Sequence, residues 1–168
     1  AMAILFALAA PELEIVGLTT TFGNVHTDLA TPNALRLLAF AGRDDIPVAH
    51  GVHQPLQRVL DRPADFVHGA NGLGGVYLPE PSRQPDPRPA AQFIVDMVMQ
   101  HPGEITLVPV GPLTNIALAL MLEPRIIERV AGDGQRQCHP GGGSQHLERP
   151  PRRRSRLHRR LAGGDVGT

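Results

Sequence analysis

A strand, a helix and a second strand follow one another between residues 14 and 51, and this order constrains the fold more than any other feature. Residues 14–21 are β-branched and mostly apolar, as in strands that are buried in parallel sheets. The segment "ATPNALRLLAFAG" (30–42) predicts a helix, and "IPVAHG" (46–51) predicts the next short strand. This spacing is typical of a βαβ unit, so we expect parallel strands.

The predicted helix has recognisable ends. Pro32 lies near its start and Gly42 lies just after its end, the usual positions of these residues. Either Asp28 or Thr31 is expected to supply the N-cap.

Further elements extend the same pattern. Helices are predicted over residues 2–9, over residues 89–101 and after Pro112. The first is apolar on nearly all sides, so we expect it to be buried. Residues 105–111 ("ITLVPVG") predict a strand, and residues 125–130 ("RIIERV") predict either an amphipathic turn or the approach to another strand. The sequence therefore predicts an α/β fold with an open, mainly parallel sheet and flanking helices.

The hydrophobic pattern stops after Val130, which divides the 168 residues into a domain at 1–130 and a tail at 131–168. The first part carries 13 acidic residues and 8 Arg, the second 3 acidic residues and 8 Arg. The tail has no Ile and no aromatic residue, so we expect it to be disordered. Clustered Arg can bind phosphates, but without aromatic residues for stacking we expect a solvated or non-native tail and no nucleic-acid partner.

Composition also limits compartment and membrane contact. The single Cys, Cys138, excludes a disulfide framework within the chain and favours the reducing cytoplasm. The apolar start is about three turns long, whereas a membrane span needs about 20 residues, so no membrane partner is expected.

Polar residues that follow predicted strands are the candidates for binding, because ligands of open α/β sheets lie beyond the carboxyl ends of the strands. Asn24 ends the polar exit "TTTFGN", and His68 lies in the Gly-rich "FVHGANGLGG" (66–75) of a long loop. Ordinary loop chemistry is the alternative for both. His50 and His53 have the spacing of a metal-binding pair, but no Cys or third His is nearby, so zinc is not expected.

The stretches "ALAAPELEIVGLTTTFGNVHTDLATPNALRLLAFAGRDDIPVAHG", "VHGANGLGG" and "LVPVGPLTNIALAL" together resemble the inosine-uridine preferring nucleoside hydrolases. The resemblance runs from Ala1 to Val130, with the motifs in that family's order and spacing. It implies a Rossmann-like α/β fold and Ca²⁺-dependent hydrolysis of the N-glycosidic bond of ribonucleosides. It also implies a homo-oligomer for the intact protein.

The resemblance assigns roles residue by residue. Asn24 matches the Asn that hydrogen-bonds the ribose, and Thr114 matches the Thr whose backbone carbonyl coordinates Ca²⁺. His68 lies in the mobile loop that covers the nucleobase. The family's catalytic Asp-rich loop would precede Ala1, and a His-Asp pair would follow Val130, so no catalytic residue is assigned in this chain.

Two expectations follow from these departures. Because one carbonyl cannot replace six to eight oxygen ligands, we expect this chain not to bind Ca²⁺ and not to catalyse the reaction. The chain would then be an inactive fragment of a nucleoside hydrolase. The alternatives are a non-catalytic remnant that still binds nucleosides and a pseudogene product.

The tail is also compatible with a frameshift near residues 130–133. If its codons are read one nucleotide later, Gln137 permits Asn, Gly143 permits Glu, Gln145 permits Asn, and Arg149 with Pro150 permits Asp-Pro. That order resembles the ribose-binding pattern which the family carries at this point.

Overall fold

The computed structural model describes residues 1–57 and 65–131, and its sheet consists of two short parallel strands. Strand β1 (Leu18–Thr19) pairs with β2 (Val48–Ala49) in the register Leu18 to Val48 and Thr19 to Ala49. Helix α2 (Thr27–Phe40) connects them. The predicted βαβ unit and α/β fold are confirmed, although the strands are shorter than the predicted ranges.

The remaining predicted helices are also present. They are α1 (Met2–Ala9), α4 (Ala90–Gln100), α5 (Thr114–Leu122) and a 3₁₀ turn (Pro124–Glu128), with an additional short helix α3 (Asp65–His68) in the long loop. Asp86 joins the sheet edge through a parallel bridge to Ala49, and its N–H donates to the carbonyl of Val48 at 2.8 Å. The chain that leaves the Gly-rich loop is thus anchored beside β2.

The predicted N-cap of α2 is wrong. The helix begins at Thr27 with His26 as its N-cap residue, which makes no side-chain capping bond. The Thr31 hydroxyl lies one turn further on and donates to the carbonyl of Thr27 at 3.1 Å. The predicted end is confirmed, since Gly42 follows the helix with φ of 68°.

Two large groups of buried apolar side chains hold the elements together, and a smaller third group of Ala49, Ala90 and Phe93 packs β2 against α4. One joins α2 to the sheet and includes Leu38 and Val48; the other joins α4, α5 and the 3₁₀ turn and includes Val98, Ala119 and Ile126. Burying such side chains contributes about 1.5–3 kcal/mol each, so these groups define the folded core.

Helix α1 is less buried than its composition predicts. Ile4 and Leu8 pack against the α2 group, whereas Met2 and Phe6 are 79% and 77% exposed. The prediction of a buried helix is therefore wrong. Only one side of the helix meets another element in the described residues.

The segment 105–111 is extended but is not a strand. Ile105 is buried, whereas Val108 and Val110 are 75% and 78% exposed, with Pro109 between them. A strand exists only when a neighbour accepts and donates its backbone hydrogen bonds. Apart from the N–H of Ala131, which donates to the carbonyl of Ile105 at 2.6 Å, residues 1–57 and 65–131 provide no strand that pairs with this segment, so the predicted strand is wrong here.

The prediction of a disordered tail falls on residues outside the described ranges, except for Ala131. Among the described helices, none has both the length and the apolar character that crossing a membrane requires.

Candidate functional site

Asn115 ties together three segments at the edge of the sheet where β1 and β2 end. Its side chain is buried, its Nδ2 donates to the carbonyl of Thr20 at 2.7 Å, and its Oδ1 accepts from the N–H of Val52 at 3.1 Å. One amide thus joins the exit of β1, the exit of β2 and the start of α5. The hydroxyl of Thr27 extends the joint by donating to the carbonyl of Val52 at 2.7 Å.

Gly51 permits this close approach because it has no side chain. A Cβ atom at this position would overlap the carbonyl oxygen of Thr20 and lie 2.5 Å from Asn115 Nδ2. Sequence reasoning missed both residues, although they lie in the quoted segments "IPVAHG" and "PLTN". The available signal was a Gly at the end of a strand, which often marks close backbone contact.

Asn24 is exposed on the loop that follows β1. The buried ring of Phe22 fixes the start of this loop, and the N–H of Gly23 donates to the carbonyl of Val25 at 3.1 Å. A Cβ on Gly23 would lie 3.8 Å from Cδ of Pro112. The structure therefore brings the Asn24 loop beside the residues that lead into α5.

Thr114 is the first residue of α5 and is half-buried. It lines an open cleft with other side chains of α5 and of the β2 exit, namely Pro55, Leu56, Gln57, Leu113 and Ala117. Nearby, the methyl group of Thr21 would lie 3.2 Å from a Cβ on Gly111, and the Thr21 hydroxyl is buried without a hydrogen-bond partner in the described part of the chain.

His68 ends α3, and Asn71 organises the Gly-rich loop that follows it. Asn71 Oδ1 accepts from the N–H groups of Leu73 and Gly75 at 3.1 and 3.0 Å, while the carbonyl of His68 accepts from the N–H of Gly74 at 2.8 Å. The loop therefore has a defined path in which the half-buried His68 sits at one end.

The Gly-rich loop is docked on the residues next to Asn24. The buried Asn33 of α2 donates through Nδ2 to the carbonyl of Asn71 at 2.8 Å. A Cβ on Gly72 would lie only 2.6 Å from Val25 Cγ1, so the loop backbone touches the residue after Asn24. The segments that carry Asn24, His68 and Thr114 are therefore neighbours at one edge of the sheet.

An ion-pair group fastens the chain between the Gly-rich loop and α4. Arg88 pairs with Asp86 at 2.8 Å and with Asp96 at 3.1 Å, and its guanidinium lies 4.7 Å from the centre of the Phe93 ring. The hydrogen bonds from Arg88 hold the pKa of the Asp86 carboxyl below its ordinary value. Asp86 is therefore a stable carboxylate at the sheet edge.

The residues around Thr114 do not make a calcium site by themselves. Calcium takes six to eight oxygen ligands, chiefly carboxylates, carbonyls and water, and the Thr114 carbonyl supplies one. Among the described side chains, the group of three His, Cys, Asp or Glu residues that could hold a metal ion consists of Asp28, His50 and His53. Within residues 1–57 and 65–131, this group of three side chains thus does not include a residue of the Thr114 segment.

Comparisons with known proteins identify the family of this chain. The family model for the inosine-uridine preferring nucleoside hydrolases matches residues 1–132. The chain is 53% identical over 129 residues to uridine nucleosidase 1 of Arabidopsis thaliana, an alignment that covers 77% of this chain and 38% of that protein. It is 46% identical over 132 residues to the inosine-uridine preferring nucleoside hydrolase of Leishmania major, covering 77% of this chain and 42% of that one.

A solved structure shows the same relationship. The plant nucleoside hydrolase PpNRh1 superposes with a TM-score of 0.73 at 49% identity, over 77% of this chain and 41% of that one. The chain thus spans about two fifths of the length of these relatives. Because the family model covers most of its residues, the chain belongs to the inosine-uridine preferring nucleoside hydrolase family.

Proposed function

We propose that this chain is part of a nucleoside N-ribohydrolase, which cleaves the N-glycosidic bond of purine or pyrimidine ribonucleosides to ribose and free base. The observation that supports it is the meeting of three segments, carrying Asn24, His68 and Thr114, at the edge where β1 and β2 end. Open α/β sheets bind their ligands at such an edge. The names of the relatives supply the substrate class.

Asn24 is the proposed ribose contact. Its amide is exposed at the loop tip, and an amide both donates and accepts hydrogen bonds, which suits a sugar hydroxyl. His68 is the proposed nucleobase contact, since its loop is docked beside Asn24.

Chemistry at the anomeric carbon needs more than these contacts. Glycoside cleavage uses carboxylates to activate water and to stabilise an oxocarbenium-like transition state. Asp28 lies four residues beyond Asn24, but its carboxylate faces His50 and His53. The Thr114 carbonyl is the proposed contribution of this chain to a Ca²⁺ site, which would supply an activated water and bind ribose hydroxyls in the intact protein.

We also propose that the 168-residue chain by itself does not cleave the substrate. The test is release of reducing sugar from inosine and from uridine by the purified chain, compared with buffer. We expect no release above buffer, and measurable turnover would contradict the proposal. Calorimetry with the same nucleosides separates the alternatives: heat of binding at millimolar ligand supports a nucleoside-binding remnant, and its absence supports a pseudogene product.

The role of Asn24 is tested in the intact protein, encoded by the gene with its upstream codons and with the shifted frame restored. Losing a hydrogen bond of about 1–3 kcal/mol in Asn24→Ala should lower kcat/KM about 10- to 100-fold. His26→Ala is the matched control, because His26 is also exposed and lies two residues away. Equal effects of the two substitutions would remove Asn24 from the site.

We also propose that residues after about 130–133 derive from a shifted reading frame. The nucleotide sequence there tests it: the shifted frame must encode Asn, Glu and Asn at the codons overlapping Gln137, Gly143 and Gln145. Any other residues at these places would contradict the frameshift.

Two further properties belong to the same proposal. The single Cys favours the cytoplasm, and family resemblance favours a homo-oligomer of the intact protein.

A further inference from the structure

Two imidazoles and one carboxylate converge outside the proposed substrate contacts. His50 follows β2 directly, His53 lies three residues later, and Asp28 lies in the first turn of α2. One possible ligand atom from each residue lies within 4.8 Å of those of the other two. The His pair alone predicts no zinc site, but folding supplies a third ligand that lies 22 residues before His50 in the chain.

The spacing of the two imidazole Nε2 atoms fits a small divalent ion. The Nε2 atoms of His50 and His53 are 3.3 Å apart. Two nitrogens bound at about 2.0–2.1 Å to a tetrahedral Zn²⁺ are separated by about 3.3–3.4 Å. The carboxylate oxygens of Asp28 lie 3.7 Å from His50 Nε2 and 3.6 Å from His53 Nδ1, distances that are too long for good hydrogen bonds. The carboxylate therefore lies beside His50 Nε2, the nitrogen that faces His53, and beside the other ring nitrogen of His53.

A buried hydroxyl lies against the other nitrogen of the His50 ring. Thr31 Oγ1 lies 2.7 Å from His50 Nδ1 and 2.7 Å from Thr20 Oγ1, and it donates to the carbonyl of Thr27. When Thr31 gives its one proton to that carbonyl, it accepts from His50 Nδ1 and from the Thr20 hydroxyl. His50 then carries its proton on Nδ1, which leaves the Nε2 lone pair facing His53 and Asp28. Metal-binding His residues are oriented in this way.

Exposure of the three side chains leaves room for a further ligand. Those of His50, His53 and Asp28 are 35%, 55% and 77% exposed. Three protein ligands with one open position characterise zinc sites that hold a water or a small ligand, whereas structural sites are closed by four. We propose that Asp28, His50 and His53 form a Zn²⁺ site with an open coordination position. This inference does not rest on the proposed hydrolase function.

Zn²⁺ itself is the probe, titrated calorimetrically into the full chain in a Cys138→Ala background, which removes the thiol as a competing ligand. We expect one binding event that His53→Ala weakens at least about 100-fold, because even outer hydrogen-bond partners change metal affinity about 10- to 100-fold. The matched control is His101→Ala, which removes an exposed imidazole at the end of α4 and should leave the affinity unchanged.

Two further measurements separate coordination from loss of folding. Co²⁺ in place of Zn²⁺ should give the intense visible absorption of a tetrahedral ion, and His53→Ala should lose it while far-ultraviolet circular dichroism stays unchanged. Thr31→Val should weaken Zn²⁺ binding about 10- to 100-fold and Thr31→Ser should retain it. Equal Zn²⁺ affinity in His53→Ala and His101→Ala, or no binding at all, would overturn the proposal.

Discussion

The sheet edge around Asn115 and the segment 105–111 both involve predicted strands. They differ in the partners that satisfy the hydrogen bonds of their backbone. At the edge, one buried amide bonds to the backbone of two segments. In the segment, Val108 and Val110 are exposed and no strand pairs with them in the described ranges. Similar apolar segments thus differ in structure because the rest of the chain supplies hydrogen-bonding neighbours to one and not to the other.

The largest effect expected from breaking the edge is that of Gly51→Ala. The added methyl group would overlap the Thr20 carbonyl and displace Asn115, so we expect the free energy of unfolding to fall by about 3 kcal/mol or more. Urea unfolding of the full chain measures it. Gly74→Ala is the control: no atom lies near its Cβ position, so only the positive φ of 65° costs energy, about 1–2 kcal/mol. Equal losses would show that Gly51 is not sterically restricted.

Truncating the amide should cost somewhat less. Asn115→Ala leaves the carbonyl of Thr20 and the N–H of Val52 without their partner, which we expect to lower the free energy of unfolding by about 2–3 kcal/mol. Asn24→Ala, at an exposed amide, should change it by less than about 0.5 kcal/mol. A similar loss at both positions, measured by urea unfolding, would contradict the joint at Asn115.

A matched pair of valines compares the two regions directly. Val48 in β2 is fully buried, whereas Val108 is mostly exposed. Threonine keeps the shape but adds a hydroxyl, so Val48→Thr should cost about 1–3 kcal/mol and Val108→Thr less than about 0.5 kcal/mol. Thermal unfolding of the two variants gives the comparison, and a large loss at Val108 would mean that the segment is buried in solution.

The smallest effect concerns the carboxylate beside β2. Arg88 lowers the pKa of Asp86 in the folded chain below the ordinary 3.8. A lowered pKa means that the carboxylate contributes stability above its unfolded pKa, and that the contribution is lost as the pH falls through the folded pKa.

Asp86→Asn should therefore cost about 1 kcal/mol at neutral pH and nothing at strongly acidic pH. Unfolding measured across the acid range tests this, with Asp45→Asn at a more exposed ion pair as the control. A loss that does not depend on pH would assign the effect to packing instead of charge.

Local pattern was sufficient to predict the helices and the βαβ unit, because their apolar spacing and the position of Gly42 are encoded within a few residues. It was insufficient for the burial of α1 and for the strand at 105–111, since both depend on partners that are distant in sequence. The prediction of Thr31 as an N-cap was wrong for a related reason. The Thr31 hydroxyl makes its hydrogen bonds with Thr27, Thr20 and His50 instead.

The candidate site divides in the same way. Asn24, His68 and Thr114 could be named from motifs, and the structure brings their segments together, while their roles stay predictions. Asn115 could not be named, because its importance comes from bonds across 95 and 63 residues of chain. Asp28, which joins His50 and His53, could not be named either, because only the fold brings it close to the two histidines.

The contact between Gly51 and Thr20 restricts which amino acid can stand at the equivalent position of related sequences. Every other amino acid carries a Cβ, so no substitution at this position is compatible with the two backbones as they lie. A family member that keeps this meeting of segments must therefore encode glycine at the equivalent position, and one that lacks it must have moved them apart. The presence of glycine at this position therefore indicates, from sequence alone, whether a relative can have the same contact between the two backbones.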